Sequence, residues 1–145
     1  MPTTALSLSL AIAGSLSALA AVAHLACIAI GPQAYRFMGA GERMAQAVEA
    51  GRLQPTLMTL GISVVLMVWA AYAFSAAGLI SAQLPFTKLA LLAITTVYLA
   101  RALAFPLLRP AFPENSLTFW LVSSGVCLVI GLLHAHGLAT RWTAL

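Results

Sequence analysis

Residues 56–80 read TLMTLGISVVLMVWAAYAFSAAGLI, with no charged side chain among them. A helix needs about 20 consecutive apolar residues to cross the hydrocarbon core of a bilayer, and this stretch meets that length. Pro55 stands immediately before it, at the start of a helix where a missing N–H costs little. Three further stretches read the same way. One covers about 5–30 and ends at Gly31-Pro32; another covers 89–108; the last covers 117–139, after the break 109–115, RPAFPEN. An open sheet cannot satisfy its backbone in lipid, and these runs are too continuous for the alternation of a barrel strand. The sequence therefore predicts an all-α fold, an integral membrane four-helix bundle forming a single domain over 1–145. Mostly tight loops lead to the expectation that sequence neighbours pack together.

Composition agrees. Of the 145 residues, 62% are hydrophobic and only 7% charged, where a soluble domain carries about 25% charged residues. The net charge of +4 comes from basic residues scattered at the flanks of apolar runs. No basic patch is interleaved with aromatics, so no nucleic-acid partner is expected. Cys27 and Cys127 sit inside apolar runs without CxxC spacing, which fits buried small residues better than a disulfide or a metal pair. Near the start, Ala18-Leu19-Ala20 resembles a signal cleavage site, but no Lys or Arg precedes Arg36 and the apolar run is long. A retained span is expected rather than a cleaved leader.

The longest connection joins the first two spans. Within it, 41–50 (GERMAQAVEA) favours a short amphipathic helix, with Met44, Ala45 and Val48 on one face and Gly51 as its natural terminator. Arg36, Arg43, Arg52 and Arg109 lie on one side of the spans, Lys88 and Arg141 on the other. The positive-inside rule then places the arginine-rich loops in the cytoplasm of a bacterial inner membrane, with both termini periplasmic.

At 100° per residue each span turns one small or polar face inward. In the first span this face holds Ala13, Ser17, Ala20, Ala21 and His24; in the second, Thr56, Thr59, Ser63, Ala70, Ala73 and Ala77; in the fourth, Ser116, Trp120, Ser123, Cys127, Gly131 and His134. Lipid gives helices no hydrophobic reason to associate, so small residues mark packed faces. The third span carries Arg101, with Tyr98 one turn before it.

An arginine within a span costs about 2.5–3.5 kcal/mol on insertion scales and must snorkel, pair or face water. Pro106 should kink the helix just beyond it and free the carbonyl of Ala102. His24 and Arg101 lie on the same side of the bilayer centre, His24 roughly 10 Å from it at 1.5 Å per residue. His134 and His136 lie toward the other side. These depths predict a cytoplasmic-side vestibule lined by His24, Arg101, Tyr98, Thr59 and Ser123, with Glu49 or Glu42 as counter-ion. Arg101 would hold a carboxylate or phosphate there. The purely structural alternatives are a snorkelling arginine, or an Arg–Glu pair that pins the loop helix to the bundle. Separation in depth argues against a three-histidine metal site or a bis-histidine haem, so neither metal nor cofactor is expected. No GxSxG, P-loop, HExxH, GxGxxG or CxxCH motif is present, and no catalytic residue is assigned.

In its four short helices the chain resembles the small multidrug-resistance transporters. That family's coupling implies a membrane-embedded glutamate in the first helix; here that helix has His24 and no acid. Arg43, Glu49, Pro55, Tyr98 and Arg101 are loosely similar to polar residues of the membrane-associated eicosanoid and glutathione enzymes. The asparagine-containing pattern of that family is absent, and no catalytic assignment follows from the resemblance. The sequence thus points to a protein that binds, and by extension transports, a small anionic or amphiphilic ligand at Arg101. The competing expectations are a non-catalytic accessory or scaffolding subunit and a small enzyme acting on a lipophilic substrate. Expected partners are membrane lipids, that ligand, and a second copy or a larger membrane complex at the small-residue faces.

Overall fold

The computed structural model describes residues 6–145; the start of the first expected span, at Ala5, lies outside the described residues. Among them the chain is all-helical, 78% helix without a strand. Three helices are long and apolar enough to cross a membrane: α1 (Leu8–Ile30), α4 (Gln54–Ala77) and α7 (Leu117–Thr140). A fourth candidate is broken. α5 (Thr87–Leu103) is followed, after Ala104, by α6 (Phe105–Leu108) and a short 3-10 turn (Arg109–Ala111), at a bend of 61°. The break falls where Pro106 cannot donate to the carbonyl of Ala102, and the helix is capped instead by Ala104 N–H on Ala100 O, 2.9 Å.

Two short helices fill the first connection: α2 (Pro32–Phe37) and α3 (Glu42–Glu49). α3 lies where the sequence placed a helix, and its end is a Schellman turn. Gly51 (φ +70°) donates to Val48 O, and Arg52 N–H to Ala47 O, both at 2.9 Å. α2 was not foreseen; Gly31 (φ +92°) ends α1, and Pro32 then opens a new helix. Tyr35 of α2 and Ala45 of α3 bury against Cys27, flanked by Met44 and Val48. This small core fixes the two helices over one end of α1.

α1 packs most closely on α4, and α5 on α7. α4 and α5 touch little although they are consecutive, and α1 packs on α7 instead. Sequence neighbours therefore pair only in part. The α1–α4 seam is built from Ala13, Gly14, Ser17 and Ala21 against Ser63, Ala70, Ala73 and Ala77, all buried. A Cβ on Gly14 would stand 2.8 Å from the Phe74 ring, and Ser63 Oγ donates to Ala21 O across the seam, 2.9 Å. Ser7 N–H donates to Ala77 O, 3.1 Å, so the start of α1 lies beside the end of α4. Leu8, Leu19 and Val22 of α1, Val64 and Val65 of α4, and Val122, Val126 and Val129 of α7 are exposed. So much uncovered aliphatic surface on three helices supports a membrane-protein reading.

A buried polar core lies between the helices. Ser17 Oγ and Tyr98 Oη are 2.8 Å apart. The Tyr98 ring stacks on His134 at 5.5 Å and meets the edge of Trp69 at 5.3 Å. His134 Nδ1–H donates to Ile130 O, 2.9 Å.

Candidate functional site

A cavity of about 780 Å³ lies beneath α2 between α1, α5 and α7. His24 lines it from α1, Arg36, Phe37 and Met38 from the loop helix, and Arg101 from α5. From the last connection and α7 come Glu114, Asn115, Ser116, Phe119, Val122, Ser123, Val126 and Cys127. Local capping sets the α7 side. Ser116 is the N-cap, its Oγ accepting from Phe119 N–H at 3.0 Å, and this fixes the turn that carries Phe119 and Trp120.

Of the residues proposed from the sequence, the structure brings His24, Arg101 and Ser123 to this one cavity. His24 Nδ1–H donates to Ala20 O, 2.7 Å, because a carbonyl only accepts. Tyr98 does not line the cavity; it is held by Ser17 and His134 deeper between the helices. Thr59 does not reach it either, since its hydroxyl donates to Pro55 O of its own helix, 2.8 Å.

The expected counter-ions for Arg101 go elsewhere. Arg36 takes both, Nε and Nη2 gripping Glu42 at 2.9 and 2.7 Å and Nη1 reaching Glu49 at 2.8 Å. Neither of these ion pairs includes Arg101. Its guanidinium meets hydroxyls and a ring: Nη1 to Ser124 Oγ and Nη2 to Ser123 Oγ, both at 3.4 Å, with the carbon 5.2 Å from the Trp120 centroid. Both hydrogen bonds are longer than the usual 2.7–3.2 Å range. The half-buried Arg101 thus lines the cavity outside both of these ion pairs; the carboxylate in the same lining, Glu114, accepts instead from Glu42 N–H.

Sequence reasoning missed Arg36, Glu114, Asn115 and Phe119. Glu114 Oε1 accepts from Glu42 N–H at the start of α3, 2.6 Å, and Asn115 Nδ2 donates to Gly39 O, 3.1 Å. Together they tie the α2–α3 segment to the connection before α7, roofing the cavity. Pro32 after a glycine was the available signal for the helix that carries Arg36.

Arg36 holds the Glu42 carboxyl below the usual carboxylate range, chiefly through its side-chain hydrogen bonds, and is itself pushed higher by the same bonds. A carboxyl lowered in the folded state contributes stability that is complete above its unfolded value, about 4.3, and is lost as pH falls through the folded value. Hydrogen exchange is therefore expected to keep α2 and α3 protected at neutral pH and to release them on acidification below about pH 4, ahead of α4. Glu42→Gln should expose them already at neutral pH and remove that acid step.

Among the described residues no group of three His, Cys, Asp or Glu side chains is placed to hold a metal ion. Cys27 and Cys127 are both free. No family model, curated protein or solved structure matches the chain.

Proposed function

We propose that this chain is an integral membrane protein whose α1, α4, α5–α6 and α7 form a four-helix bundle, and that it binds a small anionic or amphiphilic ligand at Arg101. Release of such a ligand to either side would make it a transporter. The observation that carries the reading is an arginine within an apolar segment, facing a cavity, with Glu42 and Glu49 committed to Arg36 and Glu114 accepting from Glu42 N–H. A guanidinium offers a planar fork of donors suited to carboxylate or phosphate. The volume of about 780 Å³ lies within the roughly 300–1,000 Å³ of small-molecule sites. The arginine-rich connections would face the cytoplasm of a bacterial inner membrane, leaving both termini periplasmic.

Native mass spectrometry of the protein in maltoside detergent tests this with dodecyl phosphate as ligand and dodecyltrimethylammonium as the opposite charge. Saturable binding of the phosphate and none of the cation is expected. Arg101→Gln should weaken phosphate binding by about tenfold or more, since a hydrogen bond to a charged group is worth about 1.5–3 kcal/mol. Equal binding of both amphiphiles, or an unchanged affinity in Arg101→Gln, contradicts the reading.

The accessory-subunit reading has one observation in its favour. Gly61 of α4 and Gly125 of α7 are exposed, with open space where a Cβ would stand, so another helix can approach closely there. The same titration separates the two readings, because an accessory role requires no saturable anion binding.

A further inference from the structure

Resting on the anion reading above, the geometry points to a more specific occupant: a lipid with an anionic headgroup and one acyl-length tail, admitted sideways from the bilayer between α1 and α7. Three observations lead there. α1 and α7 close tightly at one end. Gly137 leaves Leu10 the space that a Cβ would take, and Ser9 Oγ and His136 Nδ1 are 2.8 Å apart. Toward the other end the cavity lies between His24 of α1 and Ser123, Val126 and Cys127 of α7. The two helices therefore meet at one end and leave room at the other.

On α7, residues lining that room also belong to the outer apolar surface. Val122 and Val126 are 61% and 53% exposed, so the cavity wall is continuous with the face that lipid would cover. A ligand can then reach Arg101 without passing the roof of α2 and α3, which is fastened through Glu114 and Asn115.

Charge fixes which end of the ligand lies where. Arg36 is neutralised by Glu42 and Glu49, and the Glu114 carboxylate accepts from Glu42 N–H at the start of α3. Arg101 is the cation that an anionic headgroup would meet, and Ser123, which accepts from its Nη2, lines the same cavity. The tail then lies over Val122 and Val126 and out into the bilayer. Val122 and Val126 stand one helical turn apart on α7, a single file that suits one tail.

The test is a comparison of phosphates by native mass spectrometry in maltoside: ethyl phosphate, dodecyl phosphate and a two-tailed phosphatidate. Dodecyl phosphate should bind at least about tenfold more tightly than ethyl phosphate, and more tightly than the phosphatidate. Val126→Trp, which places bulk on the cavity wall, should weaken dodecyl phosphate by about tenfold. Val129→Trp, equally exposed but off that wall, should leave it unchanged and controls for folding. If ethyl phosphate binds as tightly as dodecyl phosphate and Arg101→Gln abolishes both, the single-tailed lipid is overturned while the anion site stands. Equal binding of the phosphatidate overturns the one-tail assignment. Failure of every phosphate to bind the unsubstituted protein removes the anion site and this inference together.

Discussion

Gly39→Val is expected to unseat the roof of the cavity and to lower the stability of the whole protein by about 3 kcal/mol or more. Gly39 has φ +72°, a conformation that a β-branched residue adopts only with strain. A Cβ there would also collide with the Phe119 ring. Retreat of that ring into the cavity would break its edge-on contact with Trp120 at 5.8 Å and fill the space it lines. Asn115 would lose its hold on the Gly39 carbonyl as the segment moved. For a chain near this length each kcal/mol shifts the melting midpoint by about 2–4 °C, so a drop of about 6–12 °C in detergent follows. Dodecyl phosphate affinity should fall with it, since Phe119 lines the cavity. A variant with unchanged melting and unchanged binding would show that the roof is not a fixed part of the site.

Gly137→Val should produce the second large effect, at the opposite end of the α1–α7 pair. Leu10 is fully buried and occupies the space that a Cβ on Gly137 would need. Overpacking of this kind costs about 1–3 kcal/mol, and relief here requires α1 and α7 to separate. The Ser9–His136 contact lies beside the collision and would break first. Tm in detergent should fall by about 2–12 °C, with Leu10→Ala in the same chain restoring part of the loss by vacating the space. A double variant no more stable than the single one would mean that the two helices do not meet there.

Much of this architecture could be read directly from residues. α1, α4 and α7 follow from uninterrupted apolar runs, because solvent dictates their length and their small-residue faces mark where they pack. The break after Leu103 follows from Pro106. α2 escaped notice since six residues are too few to show a helical period, and the glycine–proline pair read as an end rather than a new beginning. That omission misassigned the acids. Glu42 and Glu49 look available to Arg101 only when the helix presenting Arg36 to them is missing.

The cavity lining was legible in depth but not in direction. His24, Arg101 and Ser123 meet because their heights along three helices match. Tyr98 lies within a turn of Arg101, yet it turns to Ser17 and His134. Helix periodicity gives a face but not which neighbour stands against it. Thr59 satisfies its own hydroxyl on Pro55 O, a back-bond open to any threonine inside a helix. The pairing of α1 with α7 decides where the cavity lies, and no local pattern encodes a contact between the first and last long helices.

The most direct measurement is a phosphorus–nitrogen distance. Protein with ¹⁵N-labelled arginine guanidinium groups, in phosphorus-free maltoside with bound dodecyl phosphate, can be read by dipolar recoupling between ³¹P and ¹⁵N in frozen samples. A ³¹P contact at hydrogen-bonding range that disappears in Arg101→Lys and persists in Arg36→Lys is the predicted result. A contact that survives Arg101→Lys, or none with ligand saturating, would contradict the claim that this guanidinium holds the anion.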